Sequence, residues 1–122
     1  NVTYEETYLE GYKIAQQIHE QNIDIDGIFT ITDMVAVGVL NYFQKAKIQV
    51  PQQIAVIGFS NGFVARVVTP QLSSVEQPSY QMGVTAFNLL LEEMISHRDQ
   101  KPFEPRTIEL ETSLVLRESS IR

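Results

Sequence analysis

Five residues, Gly58-Phe-Ser-Asn-Gly62, carry the spacing Gly-x-Ser-x-Gly. Where a strand breaks sharply into a helix, that spacing can present a serine hydroxyl as a nucleophile for acyl transfer, provided an acid and then a histidine follow in the chain. Glu76 or Glu92, followed by His97, supplies the order. The remaining requirements are poorly met. His97 ends a long helical pattern where a strand-end loop is needed, no Gly-rich oxyanion segment precedes Gly58, and 122 residues are too few for the sheet that displays such an elbow. A serine hydrolase is therefore the weakest of the readings these residues allow.

The same residues suit binding. Two short apolar runs, Gly27-Ile-Phe-Thr-Ile and Ile54-Ala-Val-Ile-Gly-Phe, each lead into a polar turn and then a helical pattern. In open α/β sheets a ligand sits just beyond the carboxyl ends of parallel strands, which puts Thr32, Asp33, Ser60 and Asn61 where a site is expected. Each residue also has a structural alternative. Ser60-Asn-Gly62 is a good turn former, Asp33 reads as the N-cap of the helix that follows, and Thr32 can cap in its place. His19 and His97 have no neighbouring ligand pattern, and the chain has no cysteine, phosphate loop or complete dinucleotide fingerprint. Neither a metal nor a cofactor is expected.

The elements that would position these residues can be read from periodicity. Tyr8, Tyr12, Ile14, Ala15 and Ile18 recur at helical spacing behind Glu5, Glu6 and Glu10, predicting an amphipathic helix from Tyr4 to about Gln21. A second helix runs from Asp33 to about Lys47, where Gly38 signals close packing, and Pro51 ends that unit. A short helix is expected over Phe63–Val68 and a strand over Leu72–Val75, closed by Pro78. Ser79 is placed to cap a long helix with an apolar face of Val84, Phe87, Leu90, Leu91, Met94 and Ile95. Beyond Pro102 and Pro105, Ile108–Leu116 alternates in part as a terminal strand. The fold class is α/β, a three-layer α/β/α arrangement on a mainly parallel sheet.

Composition narrows the function classes. An apolar share of 43% with 20% charged residues indicates a folded segment. The net charge of −6 weighs against this segment gripping a phosphate backbone, which requires clustered Lys and Arg. No apolar run approaches the roughly 18 residues of a spanning helix, so no membrane partner is expected.

Asp33-Met-Val-Ala-Val-Gly, Val50-Pro51 leading to Ile54-Ala-Val-Ile-Gly-Phe, Pro70-Gln-Leu-Ser-Ser-Val-Glu-Gln-Pro78, Met82-Gly83 and Leu116-Arg-Glu-Ser occur in one order over nearly the whole chain. In that order and spacing the sequence resembles the C-terminal part of the effector-binding domain of LacI/GalR transcriptional regulators, a two-lobed domain of periplasmic-binding-protein type. The resemblance implies a cytoplasmic regulator that binds a small sugar-like effector between its lobes. By the same resemblance it would act as a homodimer and read DNA through a headpiece absent from this chain. Residues 1–78 would belong to the C-terminal lobe, 79–105 to the other lobe, and 106–122 to a return strand and tail. Ser60 stands where relatives usually carry an aspartate that accepts hydrogen bonds from the ligand, so loss of that charge implies an altered grip. Asn61, Thr32 and Glu6 fall near other effector contacts, Glu6 where relatives place a stacking aromatic, with Tyr4 and Tyr8 beside it. Phe63, Val64 and Val67 fall at the dimer surface. A periplasmic sugar-binding protein of related fold is the alternative.

Overall fold

The computed structural model describes residues 3–122. They fall into two compact units, residues 3–76 with Ser113–Arg122, and Gln77–Thr112.

The first unit is built on a four-stranded sheet in the order β1 (Gly27–Phe29), β2 (Ala55–Phe59), β3 (Ser73–Glu76), β4 (Ser113–Val115). The first three strands are parallel, and β4 returns antiparallel beside β3. Helix α1 (Tyr4–Glu20) precedes β1, α2 (Asp33–Ala46) joins β1 to β2, and the short α3 (Phe63–Val67) joins β2 to β3. This is the alternating, mainly parallel α/β arrangement expected from the sequence.

One core lies on one side of the sheet. Ala15 of α1, Ala36, Val39, Leu40 and Phe43 of α2, Val56 of β2, Ala65 of α3 and Leu72 are all buried in it. The parallel register puts Phe29, Ile57 and Val75 on the opposite face, and there Phe29 stands 64% exposed with its ring edge-on to Phe59. Of the three layers expected, the described elements of this unit supply the sheet and one helical layer.

Helices α1 and α2 cross backbone to backbone. A Cβ on Gly38 would lie 2.1 Å from the carbonyl oxygen of Tyr8, and one on Gly11 would lie 2.1 Å from that of Val35. These two glycines set the distance between the helices. Around the crossing, Tyr12 and Tyr42 meet edge to face, and the Tyr8 hydroxyl accepts a bond from Asn41. Thr3 caps α1, its Oγ1 accepting from the Glu6 N–H while the Glu6 carboxylate accepts from Thr3 N–H at 2.7 Å. This reciprocal pair satisfies two backbone donors that a helix start leaves free.

In the second unit α4 (Ser79–Arg98) leads into an extended segment that Arg106 fastens back to Glu92 at 2.6 Å. No residue of α4 is buried. Phe87, Leu90 and Met94 are 53–63% exposed.

Several local expectations need correction. Thr32, not Asp33, caps α2, because its backbone is extended and its Oγ1 reaches Val35 N–H. Ser79 is already helical, and the cap position is held by Pro78 without a side-chain bond. The terminal strand covers only Ser113–Val115, because β3 offers it Ser74–Glu76 and no more. Ile108 and Leu110 therefore lie outside the sheet.

Candidate functional site

The carboxyl ends of β1 and β2 release two turns side by side. The first carries Thr32 and Asp33 into α2, and the second carries Ser60, Asn61 and Gly62 into α3. Ser60 extends the ladder by donating its N–H to the Val75 carbonyl at 2.8 Å, then leaves the strand with φ 110°, followed by Asn61 at φ 49°. Two consecutive non-glycine residues in this left-handed region is uncommon, and such strain is found where the surroundings enforce it.

Asp33 lies against this turn. Its carboxylate is buried, one oxygen accepting from Gly62 N–H at 2.7 Å and the other from Ser74 Oγ at 2.6 Å. Ser74 Oγ in turn accepts the N–H of Asn61 at 3.0 Å. Arg117 completes the frame, donating to Asn61 Oδ1 and to the Leu72 carbonyl, each at 2.6 Å. The tail that carries Arg117 is itself fixed, since Ser119 Oγ donates to the Val56 carbonyl and accepts Ser73 N–H.

The predicted residues thus separate. Thr32, Ser60 and Asn61 are gathered at one end of the sheet, and Ser60 is exposed there. Thr32 is half-buried and Asn61 is buried, its side-chain oxygen already held by Arg117. Glu6 does not have a free carboxylate: both of its bonds go to Thr3 in the α1 cap, and the Thr3 backbone N–H, followed by the Thr3 hydroxyl, holds its carboxyl below the usual range. Phe63 and Val67 stand 79% and 57% exposed, with Val64 partly covered between them.

The Gly-x-Ser-x-Gly spacing has a structural explanation in this frame. A Cβ on Gly58 would fall 2.3 Å from Asp33 Oδ1 and 2.8 Å from Leu72 Cδ2, so glycine there makes room for the aspartate. His19 points elsewhere and shares a bond with the Tyr42 hydroxyl. Among the described residues, no three His, Cys, Asp or Glu gather as metal ligands, and no helix is long and apolar enough to cross a membrane. A hollow of about 370 Å³ opens at the opposite ends of β1 and β2, lined by His19, Asp24, Phe43 and Ile54. The turn and this hollow are separate features.

Sequence reasoning missed Ser74 and Arg117. Both sit inside motifs that carried the family resemblance, but nothing in their spacing shows that they converge on Asn61.

Comparison with known proteins identifies the architecture. The family model described as a periplasmic binding protein-like domain matches residues 2–120. The chain belongs to that family. It is 38% identical over 109 residues to the HTH-type transcriptional repressor PurR of Escherichia fergusonii, which covers 89% of this chain and 31% of the repressor. Among solved structures it is similar to the transcriptional regulator CelR in complex with cellobiose (TM-score 0.84, 28% identity, 93% of this chain and 33% of that one). It is also similar to a LacI family regulator from Arthrobacter sp. FB24 in complex with lactose (TM-score 0.80, 28% identity, 94% and 42%). This periplasmic binding protein-like chain thus corresponds to part of the two-lobed effector-binding domain of LacI-type regulators, spanning about a third of the length of the curated relatives it matches.

Proposed function

We propose that this chain is the ligand-sensing part of a LacI-type transcriptional regulator, with the 60–62 turn and Thr32 forming one wall of an effector site. The observation that carries this is Ser60, an exposed hydroxyl held in a left-handed conformation at the carboxyl end of β2. It stands where open α/β sheets receive their ligands. The effector is a small sugar or sugar derivative, a class supported by the cellobiose and lactose in the two similar regulators.

In this mechanism the effector bridges two lobes and binds one relative orientation more tightly than the other. That difference in affinity is the coupling free energy transmitted to a DNA-reading part outside this chain. The role is non-catalytic and cytoplasmic. Phe63, Val64 and Val67 contribute to the homodimer surface, consistent with Phe63 and Val67 left exposed on a five-residue helix.

Operator binding by the full-length protein, measured by fluorescence anisotropy with glucose, lactose and cellobiose, tests the site. Ser60→Asp, which adds a charged acceptor, is expected to change the response to at least one sugar several-fold. An unchanged response across the panel removes Ser60 from the site. Phe63→Glu is expected to shift the full-length protein from dimer to monomer in sedimentation, and an intact dimer would dismiss that surface. By itself the 122-residue chain supplies one wall only, so calorimetry with a monosaccharide is expected to give weak binding or none. Micromolar affinity would contradict the two-lobed site.

A further inference from the structure

We propose that Asp33 is the positioning residue of this wall: its buried carboxylate holds the 60–62 turn in the strained conformation that presents Ser60. The inference deepens the effector reading above and rests on it for its functional meaning, while its physical content concerns the free chain.

Four observations converge. Both carboxylate oxygens are committed to the turn, one directly through Gly62 N–H and one through Ser74 Oγ to Asn61 N–H, so two successive backbone donors depend on one side chain. Ser60 and Asn61 hold φ values of 110° and 49°, a region that L residues rarely adopt and that two in succession adopt more rarely still. Gly58 lacks the Cβ that would displace the carboxylate, so the strand itself is shaped to receive Asp33. Helix capping does not account for Asp33, because Thr32 performs it. With the carboxylate gone, Gly62 N–H and Ser74 Oγ lose their acceptor, and the turn loses the part of its hold that runs through Asp33, which favours the return of Ser60 to negative φ. Its hydroxyl would then leave the strand-end position.

The turn contains its own chemical reporter. In an Asn-Gly pair the glycine nitrogen, once deprotonated, attacks the asparagine Cγ and expels ammonia; water then opens the ring to aspartate or isoaspartate. Here the attacking nitrogen is Gly62 N, whose proton Asp33 holds.

The test compares wild type, Asp33→Asn and Asp33→Ala of the 122-residue chain by amide hydrogen exchange in NMR and by mass spectrometry of the Asn61 peptide. In Asp33→Ala, the Asn61 and Gly62 amides are expected to exchange roughly tenfold faster or more, the loss of bonds to a charged acceptor. Asn61 should convert to the acid faster, while any rise at Val39 and Phe43 of α2 follows the global loss of stability that urea titration of the same variant measures. Asp33→Asn retains one acceptor oxygen and should fall between. If Asp33→Ala does not fold, Asp33→Asn must show the same local acceleration. Unchanged exchange at Asn61 and Gly62, or a rise only in step with Val39 and Phe43, overturns the proposal. Glucose added at high concentration separates the two readings. Shifts at Ser60–Gly62 that vanish in the Asp33 variants support positioning, and shifts that persist in them overturn it. Asp33-dependent protection with no glucose shift in wild type upholds the hold on the turn, as a single wall allows, and it is an unchanged operator-binding response of the full-length protein to the sugar panel that counts against the sugar reading alone.

Discussion

Ser60 pays a conformational penalty that its side chain does not offset within the unit, since it is bonded through its N–H to Val75 while the residue itself stands exposed. A left-handed non-glycine residue costs on the order of 1–3 kcal/mol, and glycine forfeits part of that saving through the greater freedom of its unfolded state. Ser60→Gly should therefore raise the unfolding free energy by about 1 kcal/mol in urea titration. A loss of stability would mean that the hydroxyl has a structural partner. Asp33→Ala acts in the opposite direction. It leaves one buried and one part-buried donor without an acceptor, at about 1–3 kcal/mol each, and should lower stability by about 3 kcal/mol in the same titration. A change under 1 kcal/mol would show that water replaces the carboxylate readily. At this scale the sequence identified Thr32, Asp33, Ser60 and Asn61 as neighbours but misassigned the cap. An aspartate at a helix start has the same local signature whether it caps its own helix or reaches across the sheet, and only Gly58, 25 positions later, records the difference.

Among the elements, the α1–α2 crossing makes the sharpest forecast. Replacing a mid-helix glycine by alanine ordinarily stabilises by about 1 kcal/mol, yet at Gly38 the added methyl would meet the Tyr8 carbonyl at 2.1 Å. Backbone cannot yield as a flexible side chain would, so Gly38→Ala should instead destabilise by about 1–3 kcal/mol in thermal or urea unfolding. The start of α1 is tuned by pH. Glu6 has its carboxyl lowered by the Thr3 bonds, so the cap's contribution is complete above the ordinary carboxylate range and is lost as pH falls through the lowered folded value. Helical circular dichroism during acid titration should show this loss in wild type and not in Glu6→Gln; identical titrations would exclude the cap as its origin. Element types were legible because α1 and α2 keep a helical period and β1 and β2 are continuous apolar runs between turn residues. The final strand was overextended, because alternation in residues 108–112 says nothing about whether a partner strand is there to pair with them.

For the whole molecule, the first unit closes a core and the second does not. Helix α4 leaves Tyr80, Phe87, Leu90 and Met94 more than half exposed with no residue buried. That much apolar surface on one helix calls for cover, so the 122-residue chain on its own is expected to self-associate with rising concentration. Light scattering that finds a monodisperse monomer at all concentrations would contradict this. The sequence announced the apolar helix but not what covers it, since periodicity reports a face and not its partner. The tail carrying Arg117 has a further consequence for synthesis. Asn61 precedes Arg117 by 56 residues, and at translation rates of 5–20 residues per second its side-chain partner is made roughly 3–11 s later. During that interval a nascent chain can already possess α1, α2 and the parallel strands while the 60–62 turn lacks one of its anchors. The 60–62 turn is thus among the last parts of the unit to mature, and a ribosome stalled before the codon for Arg117 would carry a folded scaffold whose proposed sensory surface is not yet fully framed.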